Sequence, residues 1–318
     1  MYGELDLLNT WFIGVDIGGT QLRAACYPAE GFEPVVQRSA PTHAADGIPS
    51  LQRLLDLLAG IWPAEGTVQK VGVAVAGPVN PQTGVVYRSP NIPGWECLPL
   101  ADHIRDRFGV PVELGNDANL AALGEWKYGA GVGHHNLLYL TISTGIGGGV
   151  ILDDRLITGG RGIAAEVGHI TVLPNGPLCG CGQRGHLEAV ASGTAIANFV
   201  REQLALGRAS TLAGLAEPVT ARTVAEAARA GDALAGEAYE RAGTFLGRGI
   251  ADFLHLYDPT IVVCGGGVTK AGDLLFKPLR RALEASVMSP QYLEGLEITT
   301  AQLGERVGLI GALALARS

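Results

Sequence analysis

A strand-ending carboxylate followed by two glycines and a hydroxyl, Asp16-Ile17-Gly18-Gly19-Thr20, is the first segment able to do chemistry. The glycines let the backbone turn sharply and offer N–H groups to an anion, and Thr20 adds a hydroxyl donor. Asp16 can hold Mg2+ or its water beside phosphates. An ordinary hairpin with Asp as turn former accounts for the same residues. No Gly-Lys-Ser/Thr follows, so this is not a Walker loop. Ser143-Thr144-Gly145-Ile146-Gly147-Gly148-Gly149 offers a second cradle, with the turn expected over Gly145–Gly149. A glycine-rich hairpin without function explains it alone, but two such turns, each followed by a strand, argue against coincidence. Gly265-Gly266-Gly267 follows an apolar strand and would let a flat adenosine lie on bare backbone; a flexible strand-to-helix turn fits equally. The G-x-G-x-G run at Gly129–Gly133 follows a helix and precedes none, which excludes a dinucleotide fold there.

Asn116-Asp117-Ala118-Asn119 sits at a strand end and opens a helix. The helix dipole should keep Asp117 ionised, the form a general base needs. Asn and Asp are also ordinary caps, and either Asn116 or Asp117 fits that role. Glu166-Val167-Gly168-His169, Cys179-Gly180-Cys181 and His186 place two imidazoles and two thiols within 18 residues, enough to close a tetrahedral Zn2+ site. Glu188, two residues on, is placed to hydrogen-bond a hydroxyl or to start a helix. Asn91, in Ser89-Pro90-Asn91-Ile92-Pro93-Gly94-Trp95, reads by itself as a loop amide.

These segments need rigid supports. Trp11–Asp16 and Gln21–Tyr27 read as a hairpin, and Val68–Ala76 as a buried strand. Leucines at helical spacing predict a helix over Ile48–Ile61. Leu100–Phe108, stopped by Gly109, and Asp117–Tyr128 read as further helices, with a short strand at Pro111–Leu114 between them. A second hairpin, Asn136–Ser143 with Val150–Asp153, echoes the first and points to a duplicated α/β architecture. Helices follow at Gly193–Leu206, Thr223–Ala230, Asp232–Leu256, Gly272–Ser286 and Val307–Ala316, with a strand at Thr260–Cys264. The hinge is expected near Gly115–Asp117.

The 318 residues suffice for two domains, and 47% hydrophobic with 17% charged residues describes a folded globule. A net charge of −8 without any Lys/Arg cluster argues against a nucleic-acid partner. Met1–Thr10 lacks a basic region, so no secretory signal is expected, and no uncharged stretch reads as a membrane span. Five cysteines make no disulfide framework; Cys26, Cys97 and Cys264 lie in apolar segments and are expected to be buried thiols in a reducing cytoplasm.

In order, D-I-G-G-T, S-P-N-I-P-G-W, N-D-A-N, S-T-G-I-G-G-G, E-V-G-H, C-G-C-G-x-x-G-H-L-E and G-G-G, from Asp16 to Gly267, resemble the ROK family of bacterial sugar kinases, in the actin-like ATPase and hexokinase superfamily. The resemblance implies a two-domain α/β fold, actin-like ATPase (ribonuclease H-like), with an inter-domain cleft. Residues 1–116 plus 305–318 would form the small domain, and 117–304 the large domain with the zinc loop. It implies ATP-dependent phosphorylation of a hexose, with the 6-hydroxyl of glucose the expected acceptor. N-acetylmannosamine, N-acetylglucosamine, fructose and mannose are the alternatives. A sugar-sensing regulator is the reading of another class, opposed by the negative charge, by Asp117 and by the ten residues before Trp11, too few for a DNA-binding module. Carried over, Asp117 resembles the catalytic base, and Asn91, Asn116, Asp117, Glu166, His169 and Glu188 hexose ligands. Asp16, Gly18, Gly19, Thr20, Thr144 and Gly145 would face ATP phosphates and Mg2+, and Gly265 and Gly266 adenosine. His186 stands where the common family pattern has a third cysteine. Structural zinc is expected through His169, Cys179, Cys181 and His186, and a homodimer or dimer of dimers as the assembly.

Overall fold

The computed structural model describes residues 9–44, 46–89 and 91–318. Most of Met1–Thr10, and Pro90 of the Asn91 segment, therefore lie outside the described residues. Two five-stranded sheets repeat one plan. In the first, β1 (Thr10–Ile17) pairs antiparallel with β2 (Gln21–Pro28), which pairs with β3 (Val36–Pro41). On its other side β1 runs parallel to β4 (Thr67–Val75), and β4 to β8 (Val112–Asn116), giving the order β3-β2-β1-β4-β8. In the second, β9 (Leu137–Ile142) pairs antiparallel with β10 (Ile146–Leu152) and parallel with β12 (Ile261–Gly265); β11 (Arg155–Leu156) and β13 (Glu297–Thr300) close the order β11-β10-β9-β12-β13. The duplication read from the hairpins is thus a duplication of whole sheets. A small sheet of β5 (Val79–Asn80), β6 (Val85–Arg88) and β7 (Glu96–Leu98) carries the Asn91 segment between its last two strands.

Both faces of the central strands are covered: Ile13, Val15 and Ile17 of β1 and Val71, Val73 and Val75 of β4 are fully buried on one face, and Gly72 and Ala74 of β4 pack on the other. Helices α1 (Ser50–Ala59) and α2 (Leu100–Phe108) cover the first sheet through Leu54, Leu58, Leu100 and Ile104. Gly109 ends α2 at φ 71°, the left-handed stop expected of it. On the second sheet lie α4 (Leu187–Ala191), α5 (Gly193–Ala205), α6 (Ala221–Arg229), α7 (Ala233–Tyr257) and α8 (Asp273–Glu284).

Two helices join the halves. α3 (Asp117–Tyr128) and α9 (Val307–Ala316) pack on each other and share a core with Ala74 of β4 and Tyr139 of β9. Their approach depends on bare backbone: a Cβ on Gly311 would stand 2.1 Å from the carbonyl oxygen of Leu120, and one on Gly72 2.0 Å from that of Ala312. Glu125 is 0% exposed, and its carboxylate accepts N–H bonds from Ala130, Gln302 and Leu303, tying α3 to the segment that leads into α9. Because the neighbours of Gly311 are backbone and cannot rotate away, Gly311→Ala should cost at least about 2 kcal/mol by overpacking. Chemical denaturation checks this; an unchanged midpoint would show that the helices can separate freely.

Several sequence expectations are corrected. The second turn comprises Ser143, Thr144 and Gly145, while Gly147, Gly148 and Gly149 lie within β10, because α3 presses on Gly147 and Gly149 and Val167 on Gly148. Cys97 is exposed, with φ 49°, at an edge of the small sheet; Cys26 and Cys264 are buried. Among the described residues no helix is long and apolar enough to cross a membrane.

Candidate active site

The first turn is built for contact. Neither Gly18 nor Gly19 has a positive φ, so conformational freedom is not what selects them. Gly19 is required by proximity: a Cβ there would come within 2.4 Å of the Asn91 Cβ, which sets the Asn91 segment directly against the turn. Thr20 is exposed at its tip. Asp16, 7% exposed, faces Arg23 across the hairpin with a 2.7 Å ion pair. Burial raises its pKa against the lowering effect of Arg23. Its carboxyl also lies against the first turn of α9, where a Cβ on Gly308 would meet it at 2.6 Å. Oδ2 is taken by Arg23. An acidic oxygen beside an open turn fits a hard cation such as Mg2+.

Asn116 is the cap of α3. Its Oδ1 accepts from the N–H groups of Ala118 and Asn119 at 3.0 and 3.1 Å, and its Nδ2 donates to Gly77 O. Asp117 follows as the first helical residue, half-buried, its Oδ1 accepting from Ala118 N–H at 2.9 Å. Contrary to the dipole argument, its pKa is pushed up, to about 6. Burial is the main cause, the like charges of Asp16 and Glu166 add to it, and the Ala118 hydrogen bond opposes it. The three carboxylates therefore share one region, and Asp117 is placed near neutrality, where a base is most useful.

Around the second turn, Gly193 N–H donates to Ser143 O at 2.7 Å, bringing the start of α5 to the hairpin. Glu188, in the first turn of α4, accepts from Ile146 N–H at 3.0 Å, and a Cβ on Gly145 would strike its Oε2 at 2.3 Å. A cavity of about 520 Å3 is lined by Ser143, Thr144, Thr194, Arg201, Tyr239, Gly267 and Lys270, among others. Gly265 and Gly266 do not line it: a Cβ on Gly265 would press on the Tyr139 hydroxyl, and Gly266, at φ 88°, abuts Ile142. They shape the bend that puts Gly267 on the wall. Thr194, Tyr239 and Lys270 escaped the sequence reading, although small hydroxyl residues at the start of α5 were a visible anion-binding signal.

His169, Cys179, Cys181 and His186 converge, with one donor atom from each lying within 4.8 Å of the others. His169 Nδ1 and His186 Nδ1 are 3.3 Å apart, Cys179 Sγ is 3.6 Å from His169 Nδ1, and Cys181 Sγ is 3.2 Å from His186 Nδ1. Four N and S donors at bond lengths of about 2.0–2.3 Å around a tetrahedral zinc stand about 3.3–3.8 Å apart, so the set fits that ion. His186 precedes α4 but caps it with no side-chain bond, leaving its imidazole to the cluster. The knuckle is shaped by Gly182 at φ 93° and by Gly185, where a Cβ would fall 1.7 Å from Leu173 O. The other nitrogen of His169, Nε2, is 3.9 Å from Glu166 Oε2.

Comparison with known proteins agrees with this architecture. A glucokinase of Thermotoga maritima is 38% identical over 308 residues, 95% of this chain and 96% of that protein. An N-acetylmannosamine kinase of Yersinia pseudotuberculosis is 34% identical over 309 residues, 96% and 98% of the two chains. The crystal structure of a ROK family glucokinase from Streptomyces griseus, in complex with glucose and AMPPNP, superposes with a TM-score of 0.76 at 35% identity, covering 96% of this chain and 99% of that one. The paired sheets are the actin-like ATPase fold of such kinases. The sequence pattern of the ROK family matches residues 12–318, and the chain belongs to that family.

Proposed function

We propose that this chain is an ATP-dependent glucokinase, transferring the γ-phosphoryl group to the 6-hydroxyl of glucose. The observation that carries the reading is Asp117: a carboxylate at a helix start, raised to about 6, beside two other acids and within one fold with two glycine turns. The relatives that act on glucose support the substrate. In the reaction, the Asp117 carboxylate takes the proton of the 6-hydroxyl as that oxygen bonds to the γ-phosphorus. The bond from the γ-phosphorus to the β,γ-bridging oxygen breaks, and ADP leaves. Gly18 N–H is spent on Gln21 O, so the backbone N–H groups of Gly19 and Thr20, with those of Thr144 and Gly145, would face the phosphates, and the 520 Å3 cavity takes the adenosine. Asp16 would hold Mg2+, which neutralises phosphate charge when bound. Residues 1–116 with 305–318 form the body that closes on 117–304 and excludes water, the competing nucleophile.

Sugar ligands are Asn91, Asn116, Glu166, His169 and Glu188. His169, Cys179, Cys181 and His186 would hold zinc; with Nδ1 so used, the His169 proton would sit on Nε2, free to donate to a hydroxyl. Zinc here is structural. In a coupled assay over a sugar panel, kcat/KM for glucose should exceed that for mannose, fructose, N-acetylglucosamine and N-acetylmannosamine. A higher value for N-acetylmannosamine would transfer the assignment to that sugar.

A further inference from the structure

The segment that leaves β3 touches both sides of the site. Thr42 is 1% exposed, its Oγ1 donates to Gly18 O at 2.7 Å, and its N–H donates to Thr20 O at 2.9 Å. One buried residue thus fixes two carbonyls of the first glycine turn. The next residue, His43, lies with Nε2 3.0 Å from Asn91 O. A carbonyl only accepts, so this contact requires the proton on Nε2. Asn91 sits in a segment without regular structure and is exposed, with its Cβ against the bare face of Gly19. A short polar side chain can be aimed only if its own backbone is held, and His43 supplies that hold.

We propose that Thr42 and His43 are a positioning pair for the two substrates, Thr42 shaping the turn that faces the phosphoryl donor and His43 placing the Asn91 segment that faces the sugar. The pair rests on the kinase reading above. Neither residue touches the reacting atoms. What the adjacency implies is a division of effect: two neighbours in sequence should act on different substrates, because their hydrogen bonds end on different loops. General loss of structure would not divide in this way.

The test uses the full chain and four proteins: wild type, His43→Leu, His43→Gln and Thr42→Val. Glucose and AMPPNP affinities are measured by equilibrium titration, KM values by coupled assay, and folding by thermal melting. Loss of one neutral hydrogen bond should weaken glucose binding about three- to tenfold in His43→Leu and leave nucleotide affinity unchanged. His43→Gln should restore glucose affinity, since the Gln side chain offers an amide N–H at similar reach. Thr42→Val should weaken nucleotide binding by a similar factor and glucose binding less. Wild-type glucose affinity in His43→Leu, or equal loss for both ligands in each variant, overturns the pair. If wild type binds both ligands without turnover, the kinase reading fails, while the titrations still decide the role of Thr42 and His43.

Discussion

Asp117→Asn should lower kcat by about 10²–10⁴-fold, the range that a positioned base contributes, with glucose binding retained. The substitution is nearly isosteric, and an amide oxygen can still accept from Ala118 N–H, the bond that orients the native side chain. What it cannot do is take a proton from the sugar. Turnover is read from ADP release, and glucose binding from a titration without nucleotide. A variant with kcat close to wild type would remove Asp117 from the base role, and one that no longer bound glucose would show the carboxylate to be mainly a sugar ligand. The wild-type pH profile is a linked expectation. A base must be deprotonated to act, and burial has raised Asp117 to about 6 from the usual 3.8. Activity as kcat/KM should therefore fall about tenfold per pH unit below pH ~6 and level off above it. A profile flat down to pH ~4.5 would mean that the free enzyme keeps Asp117 ionised as an ordinary carboxylate does.

Much of this site could be read from the sequence because its parts are local. The Asp16 turn, the Asn116 cap and the two-Cys, two-His cluster each occupy a short segment whose residue types announce the geometry. What could not be read was set by tertiary approach. The three glycines at 147–149 look like turn residues, yet they lie in a strand, bare because a helix and a loop press on its two faces. The helix dipole, a local effect, predicts an ionised Asp117, whereas its burial and its neighbours Asp16 and Glu166 come from distant elements. Tyr239, in the second turn of a 25-residue helix, has no sequence signal for lining a cavity with Thr144 and Gly267. Strand β13 was missed because Glu297–Thr300 is a half-exposed edge with no apolar run.

The His169–Cys179–Cys181–His186 cluster, proposed to hold zinc, should prove indispensable to the sugar side of the site. Between His169 and Leu187 the chain holds no helix or strand of ordinary length; isolated bridges at Thr171–His186 and Leu178–Arg184 and backbone bonds such as Val172 N–H to Gly185 O and Leu187 N–H to Ile170 O tie its ends together. Ile170, Val172 and Leu173 pack against the core, but the tip from Pro174 to Arg184 is mostly exposed, so a bound metal would supply much of the order there. Two proposed sugar ligands depend on it: His169 is a member of the cluster, and Glu188 lies with Oε1 3.5 Å from Cys179 Sγ. The purified chain should carry about one zinc per chain by elemental analysis. Cys181→Ser should lose the metal and lower kcat/KM for glucose on the order of 10–100-fold, with Mg2+ unable to restore it. His186→Cys should keep zinc, because a thiolate completes the tetrahedron with a bond only about 0.2–0.3 Å longer. Full zinc content in Cys181→Ser, or wild-type glucose kinetics in a zinc-free preparation, would show that the knuckle is held by its own turns and that the imidazole of His169 is aimed without the ion.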